Sequence, residues 1–258
     1  MTGVRQLTDR AEIKAWLERD RRWAIYALGD LADGMFEQCE WYTAGDSLAL
    51  IFRGLDFIPL VTVGGADGIE PILESAITLP RIFLNQRLEH LPAVMRYYEC
   101  REPHPMLRMI LEKFKPIDPP ANDGVCIMQL GMNRLEDIRS LYAASHAGDA
   151  FAPYQLATGY FYGVELDSQL VSVAGVHLAS RQYKVGPIGN VGTHPAYRGR
   201  GYAAIATTAV VRALQADGIT TIGLNVEQSN TAAIKVYERL GFVKHCEFVE
   251  GVGMRRER

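Results

Sequence analysis

The sequence is poor in the features that would tie it to a membrane, a metal or a nucleic acid. No run of 18 apolar residues occurs in its 258 residues, so a helical membrane span is not expected. The opening MTGVRQLTDRAEIKAW holds no apolar core of the signal-peptide kind, and no leader is expected. The four cysteines, Cys39, Cys100, Cys126 and Cys246, stand far apart with no C-x-x-C pair. Neither a zinc site nor a disulfide framework is indicated, no metal is expected, and free thiols in a reducing cytoplasm are the plain expectation. Lys and Arg number 27 against 30 Asp and Glu, a formal net charge of -3, so no global positive field exists to hold nucleic acid. What remains is an ordinary globular balance, 48% hydrophobic and 22% charged, at a length that allows two cores.

The clearest linker is residues 115–124, KPIDPPANDG, whose three prolines neither continue a helix nor pair well in a sheet. It divides the chain into a domain over residues 1–118 and another over 123–258. In the second, residues 134–144 have helical periodicity, and 160–166 and 170–178 read as a hairpin closed by Asp167-Ser168-Gln169. Residues 185–193 are extended. Residues 203–216 read as a helix stopped at Asp217-Gly218, 220–226 as a strand, 231–240 as a helix stopped by Gly241, and 242–249 as a last strand. That is an α/β domain with a mixed sheet. In the first, 48–52, 58–63 and 81–85 look extended, and 69–77 and 93–100 helical.

A shift of 140 residues sets Ile82, Leu84, Asn85, Ala93 and Tyr97 against Ile222, Leu224, Asn225, Ala233 and Tyr237. Chance would give about one identity in the sixteen positions compared. The reading is an internal repeat; the alternative is two unrelated strand–helix units.

Chemistry concentrates in residues 190–204, NVGTHPAYRGRGYAA. A strand ends at His194-Pro195, and a glycine-rich turn, Arg198-Gly199-Arg200-Gly201, then opens a helix with Tyr202, Ala203 and Ala204. Glycines there let a ligand approach the backbone, and the first helical N–H groups have no internal partner and attract anions. The pattern is a pyrophosphate cradle, with Arg198 and Arg200 as mobile positive charge. The bland alternative is an exposed basic turn. The segment GRGYAA also fits the dinucleotide fingerprint G-x-G-x-x-A, but four residues separate the first glycine from the strand and no acid closes the next strand in the required place, which leaves a nicotinamide-dependent oxidoreductase as a weaker reading.

The pattern R-x-x-G-x-A after V-x-T-x-P resembles the coenzyme A signature of the GCN5-related N-acetyltransferase (GNAT) superfamily. Downstream, Asn230-x-x-Ala233-x-x-x-Tyr237-x-x-x-Gly241-Phe242 is similar to its second signature, in the right order. The resemblance covers about residues 125–250. It implies the mixed-sheet GNAT fold and transfer of an acetyl group from acetyl-coenzyme A to an amine of a small molecule or peptide. The backbone of Val191, Gly192 and Thr193 would pair with the pantetheine arm, and the backbone near the bulged strand would stabilise the tetrahedral oxyanion. The amides of Gly199, Arg200, Gly201, Tyr202, Ala203 and Ala204 would hold the pyrophosphate beside Arg198. Asn230 would bond the pantetheine region, and Tyr237, near the sulfur, would protonate the leaving thiolate; a core aromatic is its alternative role. In the first half the corresponding loop, residues 64–68, lacks arginine and carries Asp67, so that half resembles a degenerate tandem copy that lost phosphate binding and shapes the acceptor site or a dimer.

The sequence also departs from the family. Many relatives carry a glutamate early on the strand before the phosphate loop, where Pro187 stands, or on the next strand, where Asn225 stands. Neither residue can serve as a base. His177 and Glu227 are the remaining candidates, with a water relay as another, and a coenzyme A-binding regulatory module without catalysis would explain both departures. His177 has a suitable ordinary pKa, though strand histidines are often structural.

Overall fold

The computed structural model describes residues 3–120, 124–145, 147–148 and 150–257. In chain order the strands and helices are β1 (Arg5–Leu7), α1 (Arg10–Leu17), α2 (Ile25–Gly29), β2 (Cys39–Ala44), β3 (Ser47–Phe52), β4 (Pro59–Gly64), α3 (Ile69–Ser75), β5 (Arg81–Arg87), α4 (Leu91–Met95), β6 (Tyr98–Cys100) and β7 (His104–Leu111). They continue as β8 (Cys126–Gln129), α5 (Leu135–Ser145), β9 (Tyr162–Leu166), β10 (Gln169–Val176), β11 (Val185–Thr193), α6 (Tyr202–Ala216), β12 (Thr221–Glu227), α7 (Thr231–Leu240) and β13 (Phe242–Arg255). The chain clusters into two compact units, one of Met1–Arg108, Val226–Ser229 and Lys244–Arg258, the other of Met109–Asn225 and Asn230–Val243.

In the first unit β1, β2, β3 and β4 pair in antiparallel succession, and β5 then pairs parallel to β4. Parallel neighbours need a crossover, which α3 supplies. All six residues of β3, SLALIF, are buried, as expected of a strand covered on both faces. The end of β13 closes this unit, running antiparallel to β5 from Phe248↔Arg87 to Met254↔Arg81, so the last residues of the chain belong with the first unit. Residues 93–100 were expected to be one helix. The structure ends α4 at Met95 and makes Tyr98–Cys100 a strand on β13. Tyr98 is fully buried there, with its hydroxyl donating to the Leu79 carbonyl at 3.0 Å. Tertiary burial overrode a local helical spacing.

The second unit has the mixed sheet expected. β8, β9, β10 and β11 pair antiparallel, α6 crosses over, and β12 pairs parallel to β11. The strand order of one unit is thus repeated in the other, down to the register: Pro59↔Phe83 and Leu60↔Leu84 in the first, Pro187↔Gly223 and Ile188↔Leu224 in the second. The 140-residue shift aligns β5 with β12, whereas β4 and β11 correspond at an offset of 128. α5 packs Ile138, Leu141 and Tyr142 into a core with Phe161, Leu170 and Val173; each such aliphatic side chain contributes about 1.5–3 kcal/mol by leaving water. α7 begins at Asn230, whose Oδ1 accepts from the Ala233 N–H at 3.1 Å, and stops at Gly241 with φ +97°. The linker is strapped to this unit: the Ile117 N–H donates to Thr208 Oγ1 at 3.1 Å, and Asp118 pairs with Arg212. Its residues 121–123 lie outside the described residues.

Candidate functional site

β11 carries an irregularity where chemistry was expected. Its antiparallel register with β10 runs Ser172↔Thr193 and Val173↔Gly192, then resumes at Gly175↔Gly189. Two residues, Asn190 and Val191, therefore oppose Ala174 alone, which is a β-bulge. Asn190 takes φ +54°, a left-handed conformation that Asn tolerates better than most residues. Two side chains hold it. The Tyr142 hydroxyl donates to the Asn190 carbonyl at 2.6 Å, and the Asn190 carboxamide donates to Gln155 Oε1 at 2.9 Å. The parallel register with β12 ends at Ile188↔Leu224 among the described residues, while β11 runs on to Thr193.

Beyond the strand, His194 Nδ1 accepts from the Ala196 N–H at 3.3 Å and starts a single 3-10 turn, Pro195–Tyr197. Arg198 is not mobile as expected: its guanidinium donates to the carbonyls of Thr193 at 3.4 Å and Ser145 at 2.8 Å. Arg200 is exposed and lies over the Tyr197 ring, 5.4 Å from its centre. Gly199 and Gly201 have φ +76° and +86°, and neither would bring an added Cβ within 4 Å of other atoms. Conformation, with open space above it, is thus what these two glycines provide. Gly201 caps α6 without a side-chain hydrogen bond and no acid lies in the first turn. The N–H groups of Tyr202, Ala203 and Ala204 precede the first helical bond, that of Ile205 to the Gly201 carbonyl, and form an anion-attracting end.

The corresponding loop of the first unit is built differently. An added Cβ would stand 1.8 Å from the Ala44 carbonyl oxygen at Gly68 and 2.3 Å from that of Asp46 at Gly64. The Gly65 N–H donates to Asp46 O at 2.6 Å, and the Gly68 N–H to Ser47 Oγ at 2.9 Å. This loop is filled by its own chain, and Asp67 and Glu70 stand at the start of its helix.

Tyr237 is buried in α7, edge-on to Phe242 with ring centres 5.9 Å apart. Burial pushes its phenol up to about 12, so it holds its proton near neutrality. The His177 N–H donates to the Pro187 carbonyl at 3.0 Å, which sets His177 across from Pro187 on β11. Its imidazole lies on Gly189: an added Cβ there would stand 1.9 Å from Nε2. Glu227 belongs to the first unit, where its carboxylate faces His104 Nδ1 at 3.6 Å and accepts from Ser229 Oγ at 3.1 Å. The second unit thus gathers Val191, Gly192, Thr193, the residue 198–204 loop, His177, Asn230 and Tyr237.

Residues 132–242 match the model of the Acetyltransferase (GNAT) family. They form a GNAT domain. Among solved structures, the GCN5-related N-acetyltransferase from Kribbella flavida superposes with a TM-score of 0.62 at 18% identity, covering 90% of this chain and 95% of its own. The enzyme of that name from Sphaerobacter thermophilus gives 0.59 at 16% identity, covering 99% and 97%. At those identities the likeness is one of fold. In sequence, the mycothiol acetyltransferase of Streptomyces scabiei is 30% identical over 174 residues, 60% of this chain and 54% of that protein. The ribosomal protein bS18-alanine N-acetyltransferase of Haemophilus ducreyi is 47% identical over 53 residues, 20% of this chain and 37% of the relative. Each of these matches spans less than two thirds of the relative's length. Among the described residues no helix of the chain is long and apolar enough to cross a membrane.

Sequence reading of the GNAT domain expected a bulged strand but did not place the bulge at Asn190, nor see that Tyr142 and Gln155 hold it. The available signal was Asn190 itself, a poor strand former in the middle of an extended run.

Proposed function

We propose that this chain transfers an acetyl group from acetyl-coenzyme A to a primary amine of a small molecule or peptide. The observation that carries this reading is the uncapped entrance to α6, where two left-handed glycines with open space above them follow a bulged strand across one short turn. Those residues fit a pyrophosphate and an extended arm. The names of the mycothiol and ribosomal-protein relatives support acetyl as the group transferred.

Acetyl-coenzyme A supplies the activated thioester. The backbone of Val191, Gly192 and Thr193 would bind the pantetheine arm, and the amides at the start of α6 the pyrophosphate, with Arg200 adding positive charge. Asn230 spends Oδ1 on its helix, so a bond to the arm would come from Nδ2. The amine nitrogen bonds to the acyl carbon as the carbon–sulfur bond breaks, and the sulfur departs with the bonding pair. His177 is the preferred acceptor of the amine's surplus proton, because it stands across from Pro187 on the strand leading to the bulge; Glu227 is the alternative. Tyr237 would donate a hydrogen bond to the departing sulfur. A phenol near 12 faces a thiol of about 8.5, so complete proton transfer would be uphill, and water would finish the protonation.

Thiol release from acetyl-coenzyme A, measured over a panel of primary amines, tests the reading. Amine-dependent release supports it. Tight coenzyme A binding with no release for any amine would favour a regulatory module.

A further inference from the structure

Tyr142 is more constrained than a core aromatic requires. The Phe151 ring lies 5.2 Å away, and Gly148 approaches so closely that an added Cβ would stand 2.5 Å from the Tyr142 ring. On the strand side, a Cβ at Gly192 would stand 3.2 Å from Tyr142 Cε1. The ring is therefore caged by α5's own loop and by the residues that follow the bulge. Its hydroxyl reaches the Asn190 carbonyl at 2.6 Å, and burial raises the phenol above its ordinary value, so it remains a protonated donor. Asn190 is fixed by its side chain as well. Gln155 Oε1, which accepts from it, also accepts from the Ala152 N–H at 3.1 Å, and Gln155 Nε2 donates to the Ala150 carbonyl at 3.3 Å.

The consequence follows from peptide geometry. Among the described residues there is no cis peptide bond. In a planar trans peptide the N–H points opposite to the carbonyl of the residue before it. Fixing the Asn190 carbonyl on Tyr142 therefore fixes the direction of the Val191 N–H. This amide sits in the bulge, where two residues oppose one and the regular ladder is interrupted.

We infer that Tyr142 is a positioning residue for acyl transfer: the family resemblance implies that the backbone near the bulged strand stabilises the oxyanion, and Tyr142, by holding the Asn190 carbonyl, sets the direction of the Val191 N–H in that backbone. This rests on the acetyl-transfer reading. When the amine nitrogen bonds to the acyl carbon, the carbonyl π pair moves onto oxygen, and it returns as the carbon–sulfur bond breaks and sulfur leaves with that bond's pair. The Val191 N–H stabilises the transient charge and neither gains nor loses a proton; Tyr142 touches no reacting atom. A donor already aimed at such an oxygen needs no reorganisation in the transition state, and its loss costs about 10²–10³ in rate in comparable sites. Loss of aim with the donor still present should cost less, about 10- to 100-fold.

Tyr142→Phe keeps the ring and removes the hydroxyl. The expected result is a kcat for amine-dependent thiol release lower by about 10- to 100-fold, with the KM for acetyl-coenzyme A and the calorimetric Kd for coenzyme A unchanged. A purely structural role would weaken coenzyme A binding together with turnover, and that outcome would overturn the inference, as would an unchanged kcat. A second pair of variants decides the matter should Tyr142→Phe fail to fold. Asn190→Gly loses the bond to Gln155 but adopts the left-handed conformation freely and keeps the backbone carbonyl for Tyr142, so turnover should fall less than in the valine variant. Asn190→Val resists that conformation and should lose turnover while binding coenzyme A normally. Equal turnover in these two variants would overturn the inference. A natural protein inert to every amine would remove the acetyl-transfer reading and this inference together. An active natural protein with an equally active Tyr142→Phe removes the inference alone.

Discussion

The guanidinium of Arg198 donates to the main-chain carbonyl of Ser145, the last residue of α5, at 2.8 Å. A cation at that place satisfies an orphan carbonyl and suits the negative end of the helix. Arg198 therefore braces the phosphate loop against α5, whereas exposed Arg200 has its charge available to a ligand. The two arginines should behave differently when removed. Arg198→Ala should lower the melting temperature and weaken coenzyme A binding at every ionic strength. Arg200→Ala should leave the melting temperature alone and weaken binding mainly at low salt, since exposed charges about a Debye length apart are screened near 0.1 M. Calorimetric titration at two salt concentrations, with a thermal scan of each variant, checks the contrast; indistinguishable variants would refute it.

Gly201 sits at φ +86° with open space above it. A side chain there meets no neighbour but strains the backbone, by about 1–2 kcal/mol for a left-handed residue. Gly201→Ala should therefore fold with a modest loss of stability. Gly201→Glu should also fold, yet abolish acetyl-coenzyme A binding by placing an anion at the phosphate site. Unchanged affinity in the glutamate variant would mean that the pyrophosphate lies elsewhere.

Gly189 and His177 form a pair of which only one member can carry bulk. Because an added Cβ at Gly189 would stand 1.9 Å from Nε2, Gly189→Ala must push the imidazole aside. If His177 accepts the proton of the amine, Gly189→Ala and His177→Ala should lower kcat by similar factors, about 10²–10⁴, with coenzyme A affinity preserved. Both should also lose the limb of the pH–rate profile that reports the base. Full activity in either variant would pass the role to Glu227 or to water.

The sequence carried much of the second unit because its punctuation is local. Gly241 stops α7 at the residue expected, and residues 185–193 form β11 with the bounds read from the pattern. Asp167 and Ser168, both at positive φ, turn the expected hairpin. What stayed hidden depends on partners distant in the chain. Tyr142 reads as one more apolar position on α5 until Asn190, 48 residues on, is seen to need its hydroxyl. Phe248–Arg255 read as a continuation of the second domain, but their pairing partners are Arg81–Arg87 and Tyr98–Cys100. Arg198 looked like free charge because two backbone carbonyls leave no mark in a sequence.

Tyr237 makes a prediction at alkaline pH as well as in catalysis. Its folded phenol is raised from 10 to about 12, so the folded state holds the proton more tightly than the unfolded chain does. The stability that this contributes is full below pH 10 and is lost as pH rises to about 12. Urea unfolding between pH 9 and 11 should show a shallower alkaline loss in Tyr237→Phe than in the natural protein. The same variant should bind coenzyme A nearly normally and turn over more slowly, by up to about 10²-fold, since it loses a donor to the departing sulfur. Full turnover would make Tyr237 a packing residue.

The measurement that bears most directly on the whole reading is a calorimetric titration of the full chain with coenzyme A and, separately, with NAD. The second unit offers an open, uncapped cradle, while the first fills its own loop with the carbonyls of Ala44 and Asp46 and the hydroxyl of Ser47. One equivalent of coenzyme A per chain and no heat from NAD is the expected result. Two equivalents would show that the first unit kept a phosphate site, and saturable NAD binding with none of coenzyme A would contradict the acetyl-transfer assignment outright.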